Sequence, residues 1–150
     1  MPTLYRATTF PAAMLPLVAS LCLGCSEPDW VTTAGTLNAS ADRTVALTRP
    51  AHVLAAAPFD VTVQTFGSSN CTRTERLDLA VAGNLARLAP YDRVPASDQT
   101  ACFRDLAPFA HSGTVQFGTA GPATLRVVGY FGEFDQAVLD SVDLAVDVEP

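Results

Sequence analysis

The stretch that decides the fold is FDVTVQT, residues 59–65 of this 150-residue chain. Its residues alternate between apolar and polar, so that Phe59, Val61 and Val63 fall on one side. Successive side chains of a β-strand point to opposite faces. The stretch therefore predicts a strand with one buried face and one solvated face.

The same alternation recurs further along the chain and predicts more strands. The segments that show it are residues 44–48, 77–81, 85–88, 114–117, 123–130 and 142–148. A first strand is also expected near residues 30–37. Gly83-Asn84 predicts a tight hairpin turn. Helical patterns are weak, and eleven prolines are difficult to place in long helices. Residues 90–110 are expected to form a long loop, with a short helix near residues 98–106.

The first 25 residues have the composition of a targeting segment. Arg6 precedes an apolar run at residues 10–23, and the segment ends in Cys22-Leu23-Gly24-Cys25. The run is shorter than the roughly 20 residues that a membrane-spanning helix needs, and the layout is typical of a secretory signal. A small residue before a cysteine at this place resembles the lipobox of bacterial lipoproteins.

The resemblance implies cleavage before Cys25, lipid attachment to Cys25 and residence in the bacterial cell envelope. Ser26 after the cysteine favours the outer membrane. Two alternatives stay open: an ordinary cleaved signal, which would give a secreted or periplasmic soluble protein, and an uncleaved anchor. The expected division is a signal peptide over residues 1–24, a lipid-anchored tether over 25–41 and a β-sandwich domain over 42–150.

Cysteine usage agrees with export. The chain has four cysteines. The lipoprotein resemblance implies that Cys22 leaves with the signal and that Cys25 carries the lipid. The remaining pair, Cys71 and Cys102, predicts one structural disulfide. Closing a loop of about 32 residues stabilises the fold by about 3.5–4 kcal/mol in the loop-entropy account.

Seven or eight short strands with one disulfide predict an all-β fold, an antiparallel β-sandwich. A small β-barrel is the alternative. The pattern is similar to that of immunoglobulin-like modules. A true immunoglobulin domain has a tryptophan between its two cysteines, whereas the single tryptophan here, Trp30, precedes both. The resemblance therefore implies the architecture and not membership of that family.

The charge of the chain argues against one class of partner. From Cys25 onward there are eight arginines, no lysine and fifteen acidic residues, which give a formal charge of −7. Nucleic-acid binders need clustered cations to neutralise phosphates, so no nucleic-acid partner is expected. For the same reason we expect the lipid, and not surface charge, to hold the protein at a membrane.

No motif for catalysis, cofactor binding or metal binding stands out. The nucleophile motif Gly-x-Ser-x-Gly does not occur in the sequence. His111 and Ser112 are neighbours, and neighbours on a strand point to opposite faces. His52 and His111 lack neighbours at metal-ligand spacing. We therefore expect no catalytic residue, no metal ligand and no cofactor, and a protein that is not an enzyme.

Aromatic residues near the predicted loops are the candidate ligand contacts. Tyr91 flanks the long loop, and Tyr130 and Phe131 precede Gly132. Exposed rings on loops at one end of a sandwich can hold sugars or peptides. The alternative is that these rings fill the edge of the core. A group of arginines near the predicted disulfide either pairs with acids or faces a partner: Arg73, Arg76, Arg93 and Arg104.

Together these patterns predict a non-enzymatic interaction or structural module of the cell envelope. Its expected partners are the membrane, through the lipid anchor, and an unknown protein or glycan. A carbohydrate- or peptide-binding domain that uses the loop aromatics is the first alternative. A small hydrolase or protease inhibitor is the second.

Overall fold

The computed structural model describes residues 29–40, 43–96, 100–133 and 136–150. Within these ranges the chain is all-β, as predicted, with ten strands and no helix. The strands are β1 (Trp30–Ala34), β2 (Thr36–Asn38), β3 (Leu47–Thr48), β4 (Val53–Leu54), β5 (Phe59–Gly67), β6 (Arg73–Ala82), β7 (Leu85–Pro95), β8 (Ala107–Val115), β9 (Gly121–Phe131) and β10 (Val138–Glu149).

The strands form two sheets, which pack as a sandwich. In the larger sheet β6, β7, β9, β10 and β4 lie side by side, while β1 pairs with β7 and β2 with β9. The smaller sheet has the order β3-β5-β8. Most pairs are antiparallel, but β7 with β9, β2 with β9, and β10 with β4 are parallel. The larger sheet is therefore mixed, which differs from the purely antiparallel sandwich that the sequence predicts.

The core contains the apolar residues whose alternation predicted the strands. Val61, Val63, Val115, Leu125 and Val127 are at most 1% exposed. Full burial of one such side chain contributes roughly 1.5–3 kcal/mol. These residues come from both sheets, so their burial is what holds the two sheets together.

The predicted hairpin is confirmed. β6 and β7 pair antiparallel with Ala82 opposite Leu85, which leaves Gly83 and Asn84 as the two-residue turn. Gly83 has a φ of 59°, a conformation that glycine adopts without steric cost. The turn is therefore formed where the sequence placed it.

Strands β1 and β2 fill a fork between β7 and β9. Those two strands pair only over residues 85–88 of β7, and beyond that point they are separated by the amino-terminal segment. Gly35 forms the apex: its N–H donates to the Pro90 carbonyl and its own carbonyl accepts from the Tyr130 N–H, both at 2.9 Å. Where β7 and β9 no longer pair with each other, their backbone groups therefore form hydrogen bonds with residues 30–38.

Those residues belong to the fold, although the sequence placed the tether over residues 25–41. Leu37 in β2 is fully buried in the core. The folded part of the chain therefore begins by Trp30. Cys25 and the predicted signal peptide, residues 1–24, lie outside the described residues. No helix in the described part of the chain is long and apolar enough to cross a membrane.

The prediction of a loop over residues 90–110 is wrong at both ends, because the observed connection is shorter. β7 continues to Pro95 and β8 begins at Ala107, so the connection is residues 96–106. Pro90 is tolerated in β7 because its carbonyl points to Gly35, inside the fork. Its missing N–H points the same way, where β9 has already diverged. Residues 100–106 form no helix, and residues 98 and 99 of the predicted helix lie outside the described residues.

Candidate functional site

The predicted disulfide joins Cys71 and Cys102, with Cα atoms 5.5 Å apart. Cys71 follows the end of β5 and is buried, while Cys102 lies on the connection between β7 and β8. The bond fixes this connection to the end of the sandwich. We call the region around it the disulfide end.

Asn70 forms a second link between the same two segments through hydrogen bonds. Its side-chain N–H donates to the Ala101 carbonyl at 2.9 Å, and its Oδ1 accepts from the Phe103 N–H at 2.8 Å. The two bonds flank Cys102 in sequence, so the backbone on each side of the disulfide is held.

A third link is the hydrogen bond between Asp105 and Ser69. The Ser69 N–H donates to Asp105 Oδ1 at 3.0 Å. Hydrogen bonds from the side chain and the backbone of Ser69 favour the charged carboxylate and hold the pKa of Asp105 below its usual value of 3.8. At neutral pH this contact therefore involves an ionised acceptor, which makes it a charge-assisted hydrogen bond.

Two large apolar side chains are exposed on the segment that these contacts hold. Phe103 is 64% exposed and Leu106 is 53% exposed. An exposed phenylalanine on a mobile loop is common, but this segment is held at residues 101 and 103 through the backbone and at residues 102 and 105 through the side chains. Pre-ordered apolar side chains can bind without a large further loss of conformational entropy.

Phe103 and Leu106 line the larger of two hollows at the disulfide end, with a volume of about 1110 Å³. Its lining also includes Val94 and Pro95 from the end of β7 and the disulfide itself. Charged side chains stand among these apolar ones: Arg104, Asp105 and Glu133. An apolar hollow with a few charged groups is the usual composition of a ligand site.

A smaller hollow of about 390 Å³ adjoins the first, and Thr72 and Val94 line both. Tyr130 and Ala137 line its outer part, and Asp92 lies at its base. Asp92 is only 3% exposed. The smaller hollow therefore reaches toward a buried polar network.

That network consists of Thr65, Asp92 and His111, one from each of β5, β7 and β8. His111 Nε2 lies 3.0 Å from Asp92 Oδ1 and 3.1 Å from Thr65 Oγ1. His111 Nδ1 lies 3.2 Å from the carbonyl of Arg76. All three side chains are at most 3% exposed. The network links both sheets inside the core.

The hydrogen-bond partners orient the His111 ring. The Arg76 carbonyl only accepts, so His111 Nδ1 donates to it. His111 Nε2 faces both the Asp92 carboxyl group and the Thr65 hydroxyl. The pair thus satisfies both ring nitrogens within the protein, and His111 is buried away from solvent.

The three aromatic residues proposed as ligand contacts do not form one exposed face. Phe131 is 8% exposed and packs in the core. Tyr130 lines the smaller hollow. Tyr91 is half-buried on β7, with the guanidinium of Arg76 4.4 Å from its ring centroid. Of these three, Tyr130 alone lines a hollow, and among the described residues the most exposed Phe, Tyr or Trp ring is that of Phe103.

The remaining features are metal binding, the predicted lipidation site and likeness to known proteins. Among the described residues no group of three or more His, Cys, Asp or Glu side chains is arranged to hold a metal ion. Cys25, the predicted lipidation site, lies outside these residues. No protein-family model, no curated protein and no solved structure matches the chain.

Proposed function

We propose that this protein is a lipid-anchored, non-enzymatic interaction module of the bacterial cell envelope, and that it binds a partner protein at the disulfide end. The observation that carries the proposal is the exposure of Phe103 and Leu106 on a segment fixed by a disulfide and three hydrogen-bonding contacts. Binding surfaces often present such apolar anchors from a rigid support.

The proposed anchor is supported by the sequence and agrees with the position of the fold. The lipobox-like end at Cys25 is five residues before Trp30, the first residue of β1. Five extended residues span at most about 17 Å. An acyl chain on Cys25 would therefore keep the folded domain close to the membrane surface.

Binding is favoured over catalysis because the histidines are not placed for chemistry on a substrate. His111 is 1% exposed and its ring nitrogens are occupied by Asp92, Thr65 and the Arg76 carbonyl. His52 is exposed and pairs with Glu149 at 2.7 Å at the opposite end of β10. Neither histidine lies at the hollows where a ligand could enter.

The lining of the larger hollow favours an apolar segment of a protein over a sugar. The carbohydrate alternative depends on the loop aromatics, and two of its three rings are not available, since Phe131 is buried and Tyr91 is half-buried beneath Arg76. Phe103 and Leu106 instead offer contact to apolar side chains, while Arg104 and Glu133 can bind charged groups at the rim.

The test is site-specific photo-crosslinking in the native host. A benzoyl-phenylalanine at position 103 is expected to give one discrete crosslinked complex. The matched control places the same residue at Leu54, which is 49% exposed on β4 at the other end of the sandwich. Asn70→Ala, which releases the segment while retaining the disulfide, is expected to weaken the crosslink at position 103.

A complex formed equally from positions 103 and 54, or none from either, would overturn the proposed binding site. An intact mass of the same preparation without acyl chains would overturn the anchor independently. The two parts of the proposal are thus tested by separate observations.

A further inference from the structure

The outer face of β1, β6 and β7 carries two arginines that stack on the single tryptophan of the chain. The guanidinium of Arg73 lies 4.8 Å from the Trp30 ring centroid, and that of Arg93 lies 5.9 Å from it. Arg73 and Arg93 are also direct cross-strand partners in the β6–β7 pair. Both are exposed.

Like charges opposite each other on neighbouring strands repel, so this arrangement needs explanation. Two other arginines in the sheet are neutralised, Arg76 by Glu75 and Asp78, and Arg126 by a two-bond pair with Asp143, whereas Arg87 on β7 forms no ion pair with a described residue. Within the described ranges, neither Arg73 nor Arg93 forms an ion pair. An acidic protein with a net charge of −6 thus keeps two adjacent cations free.

The position of these cations relative to the proposed anchor suggests what they meet. Trp30 is the first residue of β1 and comes five residues after Cys25 in the sequence. A lipid on Cys25 therefore brings the Trp30 ring within about 17 Å of the membrane. Tryptophan is enriched at the headgroup level of membranes, and arginine binds phosphate oxygens through two parallel hydrogen bonds.

We propose that Trp30, Arg73 and Arg93 form a docking face for the phosphate groups of anionic lipids, and that this face orients the anchored protein on the membrane. The inference rests on the proposed lipid anchor. It also revises the expectation that an acidic surface excludes electrostatic contact with lipid, because Arg73 and Arg93 concentrate two unpaired cations beside Trp30.

The docking face adjoins the disulfide end. Trp30 lies opposite Pro95 in the β1–β7 pair, and Pro95 lines the larger hollow. The guanidinium of Arg93 lies beside the Trp30 ring, whereas its neighbour Val94 lines both hollows. The docking face therefore lies next to the proposed partner site, from which Phe103 and Leu106 project.

Trp30 provides the probe for the test, because it is the only tryptophan. The acylated full-length protein is reconstituted into vesicles of phosphatidylcholine, alone or mixed with phosphatidylglycerol. With phosphatidylglycerol present, Trp30 emission is expected to shift to shorter wavelength and to be quenched by brominated lipid chains. High salt and the double substitution Arg73→Gln/Arg93→Gln should abolish both effects, while Arg87→Gln, on the same strand, should not.

A second measurement removes the anchor. With the Cys25→Ser protein, sedimentation with phosphatidylglycerol vesicles should fall about 30-fold when both arginines are replaced, as expected for two surface cations. Trp30 emission that is indifferent to phosphatidylglycerol in an acylated sample would overturn the docking face and leave the anchor intact. A mass without acyl chains would overturn the anchor, and the Cys25→Ser arm would still test the face.

Discussion

The backbone N–H of Phe103 donates a 2.8 Å hydrogen bond to Asn70 Oδ1. The disulfide joins the next residue on one segment, Cys71, to the preceding residue on the other, Cys102. The covalent and the hydrogen-bonded links are therefore consecutive in sequence on both segments. Phe103 is held at its backbone while its ring stays in solvent. This relationship distinguishes the disulfide end from an ordinary surface loop.

Asn70→Ala should loosen the disulfide end while the disulfide remains. Three hydrogen bonds are lost, two to residues 101 and 103 and one from the Ser68 hydroxyl, and the free energy of unfolding should fall by about 1–3 kcal/mol. Amide hydrogen exchange at residues 101–103 should rise more than elsewhere. Asn84→Ala serves as the control, since Asn84 bonds Pro122 and Thr119 at the opposite end. Equal exchange at residues 101–103 in both variants would contradict the role of Asn70.

The Asp92–His111 pair should behave as one energetic unit in the core. His111→Leu alone leaves a buried carboxyl group without its partner and should cost about 3–5 kcal/mol. The double variant Asp92→Leu/His111→Leu should cost less than the two single losses added together. Urea unfolding of the four proteins measures this coupling, and additive losses would show that the two side chains do not act together.

Gly35→Ala should destabilise the fork between β7 and β9. A Cβ at this position would lie 2.3 Å from Thr65 Cγ2 and 2.9 Å from Asp92 Oδ2, in a buried site. Such overpacking typically costs about 1–3 kcal/mol. Gly118→Ala is the matched control, because its Cβ would meet nothing within 4 Å. Thermal unfolding compares the two, and equal melting temperatures would contradict the close packing at Gly35.

The contact between Ser69 and Asp105 should stabilise the fold only above acidic pH. Since the pKa of Asp105 is lower in the folded state than its usual 3.8, its contribution is complete above 3.8 and is lost as the pH falls through the folded-state pKa. Unfolding curves of the wild type and of Asp105→Asn should therefore converge at low pH. A carboxyl NMR titration should show the pKa of Asp105 rising in Ser69→Ala; an unchanged value would contradict the assigned cause.

Local alternation was sufficient to predict much of the fold. Val61, Val63, Leu125 and Val127 are buried as their period of two requires. The predicted loop begins too early because Pro90 lies in the fork, where its missing N–H leaves no backbone hydrogen bond unmade and β7 can continue through it. That fork is created by β1 and β2, which are distant in sequence, so local pattern could not reveal it.

The polar network and the binding site were harder to find for a related reason. Thr65 lies two residues after the buried Val63 in β5, and Asp92 lies four residues after the buried Leu88 in β7, so each is expected on the inward face of its strand. This spacing is the one sequence signal that places them in the core. Their convergence on His111 depends on the pairing of three strands. Of the neighbours Tyr130 and Phe131, both candidate ligand contacts, Phe131 follows the alternative that the rings fill the core, because adjacent strand residues face opposite sides.

Acylation of Cys25 is the central claim, because both the envelope role and the lipid-docking face depend on it. The most direct test is the intact mass of the protein purified from its native host, before and after reduction. We predict a chain that begins at Cys25 with added acyl chains and that gains about 2 Da on reduction of the single disulfide. An unacylated chain, whether it begins at another residue or retains its first residues, would contradict the claim.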